Sequence, residues 1–200
     1  MKRMFFIASA LILSVGAFAQ HAEGTLTVQP KIGLNIANYT GSDDTDPRIG
    51  LVAGAEFEYQ LTKMFSLSAS LLYSMQGAKE SGTTEGMKVE VTSKTDYINI
   101  PIMANIYVIH GLALKLGIQP AFNVNASYTA STQGIDVSAS LSDFGVEVKS
   151  FDFAIPVGLS YKFSNFVVDG RYNIGVTRMV ENDDSKNSVF QFTLGYKFNL

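Results

Sequence analysis

Beyond residue 23, apolar and polar residues alternate with a period of two through one segment after another. Successive side chains on a strand point to opposite faces, so this pattern specifies sheet with one apolar face, not helix. In 51–61, Leu51, Ala53, Ala55, Phe57, Tyr59 and Leu61 share one face, and Val52, Gly54, Glu56, Glu58 and Gln60 the other. The same rule runs through 65–76, 112–128, 151–163 and 189–200, and less cleanly through 25–38, 95–108 and 166–178. These segments make eight predicted strands.

The connections alternate as well. Three are tight, around Thr62-Lys63-Met64, His110-Gly111 and Ser164-Asn165. Four are longer and polar, at 39–48, 79–94, 129–149 and 179–187. Short turns at one end and long loops at the other are the pattern of an up-and-down barrel of the bacterial outer membrane. The longest connection, 129–149, itself alternates through Ile135, Val137, Leu141, Phe144 and Val146, which predicts a hairpin reaching past the barrel and offering an edge to a partner.

Composition narrows the choice. Hydrophobic residues make up 46% and charged residues 16%, yet no run of 18 or more apolar residues follows the N-terminus, which excludes a spanning helix. Cysteine is absent, removing disulfides, thiol chemistry and cysteine-based metal sites. The net charge of −3 without a basic patch argues against nucleic acid as a partner. Lys2 and Arg3, the apolar run 4–18 and Ala17-Phe18-Ala19 have the order of a secretory signal, with cleavage expected between Ala19 and Gln20. The domain reading is therefore a signal peptide, 1–19, and one barrel domain, 20–200.

A soluble binding barrel would turn its apolar face inward; a membrane barrel turns it to lipid. Parity places Lys31, Glu56, Glu58, Lys115, Asp152, Lys162, Asp169, Arg171 and Lys197 on the polar face of strand interiors. Against lipid, Lys or Arg at mid-depth costs about 2–4 kcal/mol. Five bases and four acids can instead pair inside an eight-stranded barrel, whose interior is just wide enough for side chains. The expectation is a lumen filled by a structural ion network. Aromatic residues crowd the strand ends, with Tyr59, Phe65, Tyr161, Phe163, Phe166, Tyr196 and Phe198 near the short turns and Tyr39, Tyr73, Tyr128 and Phe151 nearer the loops. That distribution matches interfacial girdles.

The segments PKIGLNIANYT (30–40), GLVAGAEFEYQLTKMFSLSASLLYSMQGAK (50–79), YINIPIMANIYV (97–108), LKLGIQPAFNV (114–124), FDFAIPVGLSYKF (151–163), VVDGRYNIGVT (167–177) and VFQFTLGYKFNL (189–200) together resemble the PorT-type outer-membrane β-barrel domain of Bacteroidetes. The resemblance implies an eight-stranded porin-like barrel in the outer membrane of a Gram-negative bacterium. Its namesake is implicated in type IX secretion. The C-terminal Thr193, Gly195, Phe198 and Leu200 resemble the assembly signal read by the barrel-insertion machinery, with Leu200 where an aromatic residue is usual.

The residues offer no catalytic set, cofactor motif or metal site. Of two histidines, His21 lies beside the expected mature N-terminus and His110 in a tight turn, neither near a paired serine and acid. The acidic runs Asp43-Asp44-Thr45-Asp46 and Glu181-Asn182-Asp183-Asp184 lack calcium-loop spacing. The functional expectation is an integral outer-membrane barrel with a structural or interaction role, displayed through its loops, in contact with lipid and with an unidentified surface or periplasmic protein. A narrow porin and a secretion accessory are the alternatives; a lipid-modifying enzyme ranks last.

Overall fold

The computed structural model describes residues 22–41, 45–84, 87–132, 135–140, 149–178 and 185–200. The signal segment, the Ala19–Gln20 junction, His21, Asp43 and Asp44, the whole run 181–184, and Leu141, Phe144 and Val146 lie outside these residues. The described chain is antiparallel sheet throughout: β1 (Leu26–Thr40), β2 (Asp46–Thr62), β3 (Phe65–Thr84), β4 (Met87–Asn99), β5 (Ile102–Ile109), β6 (Leu112–Thr132), β7 (Ile135–Ser140), β8 (Phe151–Phe163), β9 (Phe166–Gly175), β10 (Lys186–Tyr196) and β11 (Phe198–Asn199).

Each strand pairs with the next around the sheet, and β1 pairs with β10 from Lys31↔Gly195 to Thr40↔Lys186, so the ladder closes. The closed wall has eight staves. β4 and β5 form one stave, interrupted at Ile100-Pro101. There Ser70 N donates to Pro101 O and Ile100 N donates to Pro120 O, each at 2.9 Å. Proline lacks a donor and so breaks a ladder; these two bonds carry the wall across the break. β7 and β8 both pair with β6, and β11 continues β10 to pair with β1.

Following one hydrogen-bonded row around the wall fixes the tilt. Asn35 leads through Gln191, Arg171, Gly158, Lys115, Asn105, Ser66 and Gln60 to Thr25, ten residues lower on the starting strand. Such a stagger requires strands tilted by roughly 35–45°. Each step along a row therefore descends by just over one residue, which sets which side chains share a level inside.

Burial is inverted relative to a soluble barrel. Leu51, Leu116 and Phe192 point outward and are 52%, 57% and 52% exposed, whereas Glu56, Asp169 and Gln191 point inward and are at most 1% exposed. This is the arrangement demanded by lipid outside and paired polar groups within. At the short-turn end, Phe166 and Tyr196 meet edge-on with ring centroids 5.1 Å apart, and Tyr196 and Phe198 lie at 4.7 Å. Nearer the loops, Phe122–Phe151 and Tyr172–Phe190 are similarly stacked. The tight turns hold Gly111 at φ 86° and Ser164 at φ 54°, both left-handed.

The loops differ from expectation in one respect. The connection 79–94 is not a loop: β3 and β4 stay paired from Leu72↔Asn99 to Thr84↔Met87. Its polar composition reads as loop because the segment lacks the run of alternating apolar residues by which the other strands are recognised. The hairpin predicted within 129–149 is present as β6–β7, paired from Ser127↔Ser140 to Thr132↔Ile135.

Closed pairing predicts that the detergent-extracted protein keeps its fold in cold SDS and shifts mobility on boiling. Leu116→Arg, at mid-wall on the outward face, is expected to lower stability by about 2–4 kcal/mol, read as a drop in the urea unfolding midpoint in lipid vesicles.

Candidate functional site

The inward face of each stave contributes alternate residues, and the long ones reach across the axis. Glu56 on β2 is the hub. Lys31 Nζ lies 2.8 Å from its Oε2, Lys115 Nζ lies 3.1 Å from its Oε1, and Ser70 Oγ donates to Oε2 at 3.1 Å. Lys115 also sits 3.0 Å from Asp169 Oδ2, and Arg171 Nε lies 3.7 Å from Asp169 Oδ1. The Gln191 amide, oriented with its oxygen toward the guanidinium, accepts from Arg171 Nη2 at 2.6 Å and from Nε at 3.0 Å. Six staves thus meet in one cluster.

Toward the short turns a second cluster forms on Glu58. Lys197 Nζ is 2.6 Å from its Oε2, Ser66 Oγ donates to Oε1 at 2.7 Å, and the Tyr107 hydroxyl donates to the same oxygen. Lys162 is half-buried at this mouth. Glycine makes room for these long side chains. A Cβ at Gly195 would lie 2.4 Å from Gln29 Nε2, so a side chain there would require Gln29 to shift.

Above the Glu56 cluster come the buried Leu72 and Val52, while Met103 lies within it, its Sδ 3.4 Å from Arg171 Nη1. Nearer the loops, Asn187 Nδ2 donates to Asp152 Oδ2 at 2.9 Å, and Thr177 donates to Oδ1. Asn187 Nδ2 also reaches the buried Tyr97 hydroxyl at 3.4 Å. Beside them Arg48 donates to Gln76 O and lies 4.0 Å from Asp96, which accepts from Tyr73 at 2.9 Å and Asn125 at 3.1 Å. Among the described residues, stacked layers of side chains therefore occupy the lumen.

All nine ionisable residues singled out by parity lie on the inward face; seven of them form the two lower clusters, Lys162 stands at the mouth beside the Glu58 cluster, and Asp152 lies nearer the loops. The Arg48–Asp96 pair escaped sequence reasoning. Register shifts between Pro47 and Val52 and between Asp96 and Tyr97 break the parity that would reveal it. Tyr97, Tyr107 and the inward carboxamides were equally open to a parity reading, but they carry no charge to draw notice. Thr193 and Gly195 face the lumen, while Phe198 and Leu200 face outward. His110 is exposed at the short-turn end.

A second feature lies outside the bore. β2 last pairs with β3 at Asp46↔Lys79, yet β3, β4, β6 and β7 continue as a paired sheet beyond the closed ring. Among the described residues β7 pairs with β6 alone, so it forms an edge; its Val137 is 63% exposed.

A family model described as outer membrane protein beta-barrel domain matches residues 18–181. No curated protein matches the chain. Among solved structures, Ail, the attachment invasion locus protein of Yersinia pestis, is similar at TM-score 0.50 and 14% identity, covering 88% of this chain and 99% of Ail; that structure holds the heparin analogue sucrose octasulfate. Neisserial surface protein A is similar at TM-score 0.50 and 14% identity, covering 88% of this chain and all of that one. At such identity these likenesses show the fold.

Glu56→Gln would leave two buried lysines short of a counter-charge. It is expected to destabilise the barrel by about 3–5 kcal/mol, the range for breaking a buried pair. Glu90→Gln removes the half-exposed partner of Lys79 and should change stability by less than about 1 kcal/mol. Urea unfolding of both variants in lipid vesicles checks the contrast.

Proposed function

The chain belongs to the outer membrane protein beta-barrel domain family, and we propose that within it the chain serves as an interaction protein: a filled barrel that anchors a protruding sheet. It is an integral barrel of the outer membrane of a Gram-negative bacterium. The observation that carries the reading is the continuation of β3, β4, β6 and β7 past the ring with β7 as an edge. An exposed strand edge carries unpaired backbone donors and acceptors and can take up an extended partner segment. The reading assigns no catalytic role. The polar network on Glu56 and Glu58 belongs to the wall's support, holding the staves from inside.

The resemblance to PorT-type barrels supports a Bacteroidetes source and keeps an accessory role in type IX secretion as one form such an interaction could take. The outward Phe198 and Leu200 beside inward Thr193 and Gly195 suit recognition of the last strand by the insertion machinery, and the N-terminal pattern suits export by a cleaved signal. A narrow porin is the second reading, favoured by the polar and charged side chains that make up most of the lumen lining.

Two experiments separate these readings. A photo-crosslinking residue at Val137 in living cells is expected to give a discrete protein adduct, while the same residue at Leu116 gives lipid adducts alone; lipid alone at both positions would sink the interaction reading. In planar bilayers the purified barrel is expected to stay silent, and steady openings would instead establish the porin.

A further inference from the structure

Past the ring, Thr92, Thr129 and Ser138 form one row across β4, β6 and β7, and Thr129 Oγ1 and Ser138 Oγ are hydrogen-bonded at 2.9 Å. On the opposite face Val91, Ala130 and Val137 form the neighbouring row. Both rows stop at β7, which pairs with β6 alone among the described residues. Native sheets guard such an edge with lysine, proline or a bulge. The β7 sequence, IDVSAS, holds neither lysine nor proline, and its register with β6 is unbroken. Val137 is 63% exposed. The edge is therefore open to another strand, and its own sequence selects which one.

β7 is complementary to itself. In an antiparallel pair of two β7 strands centred on Ser138, that residue meets its own counterpart, and the hydroxyl row runs on from Thr92 to the Thr92 of a second copy. Val137 falls opposite the copy's Ala139, so apolar meets apolar. Asp136, the one charged residue of the strand, falls opposite the copy's Ser140, so like charges do not meet. Cross-strand hydroxyl and apolar pairs of this kind are what stabilises a sheet.

Symmetry then fixes how two copies approach. Barrels in one membrane stand the same way up, so a closed pair there has its two-fold axis along the membrane normal. Strands tilted by roughly 35–45° cross about such an axis at twice that angle, and no ladder forms between them. A two-fold axis in the membrane plane and normal to the sheet reverses β7 whatever its tilt, and keeps each face on its own side. The second barrel is then inverted, as it is in a facing membrane. β6 runs from Val124, exposed on the outward face, to Thr132. At about 3.3 Å per residue and the wall's tilt, that lifts the top of β7 roughly 20 Å clear of the apolar layer.

We propose that the partner of the β7 edge is the β7 edge of a second copy in an apposed outer membrane, so that the protein joins cell to cell by antiparallel strand pairing. The inference rests on the interaction reading and gives that surface its partner. Only residues 136–140 of each strand take part, so one pair is weak, and adhesion comes from many pairs acting across the same two surfaces. The two-fold axis makes the contact self-limiting: each edge is used up by its counterpart, and pairs form rather than fibres.

Vesicles carrying the purified barrel test this, one batch labelled with a donor dye and the other with an acceptor. Energy transfer on mixing is expected for the unaltered protein. It is expected to be lost when both batches carry Ser138→Lys, or both carry Ser138→Glu, because like charges then meet at the centre of the pair. Mixing Ser138→Lys vesicles with Ser138→Glu vesicles is expected to restore it. No transfer with the unaltered protein overturns the proposal, as does transfer that survives in the lysine batches or failure of the mixed pair. Should either variant fail to shift mobility on boiling, cross-linking of the unaltered edge decides instead. Cells with a photo-crosslinking residue at Val137 are mixed with cells carrying an epitope-tagged chain. A two-chain adduct that bears the tag supports the proposal, and absence of the tag from every adduct overturns it. Adducts with a different protein would leave the interaction reading standing, whereas lipid alone would remove both.

Discussion

Everything in this molecule follows from the requirement that a backbone in lipid satisfy its own hydrogen bonds. Water is not there to pair with an exposed N–H or C=O, so the sheet must close. Closure between β1 and β10 removes the last free edge within the wall. It also fixes the interior. With eight staves and a stagger of ten residues, the bore has room for side chains and little else. The larger apolar face is already committed to lipid, so most of what fills the bore is polar.

Polar filling brings its own condition, because each buried charge or amide needs a partner. The Glu56 and Glu58 clusters meet that condition by drawing partners from staves far apart in sequence. Lys115 reaches Glu56 across 59 residues, and Lys197 reaches Glu58 across 139. These contacts tie staves that are two and three places apart around the ring, where the ladder itself links only neighbours. Above the ring the constraint relaxes. Water can satisfy β7's outer edge, so the sheet can continue there without closing, and among the described residues it does so on one side of the barrel.

The fold was legible because the period of two survives in nearly every stave, and a period assigns faces without any knowledge of neighbours. The inward charges were legible for the same reason. What parity could not show was which charge meets which, since pairing depends on stagger, and stagger is a property of the whole ring. Register shifts hid Arg48 and Asp96, and the polar composition of 79–94 disguised paired strands as loop. Periodicity identifies a strand by its apolar face, and a ribbon standing in water on both sides has none.

The seam has a consequence in time. Lys31 pairs with Gly195, so the bonds that complete the ring join segments at opposite ends of the described chain. Loop closure over such a span comes late, and contacts of this separation make folding slow. Until the last strand arrives, β1 has one unpaired edge and the outward leucines and phenylalanines have no lipid. The protein must therefore be carried through an aqueous compartment as an unfinished, sticky chain. Its stability belongs to the closed ring in lipid, and the chain does not have it before it gets there.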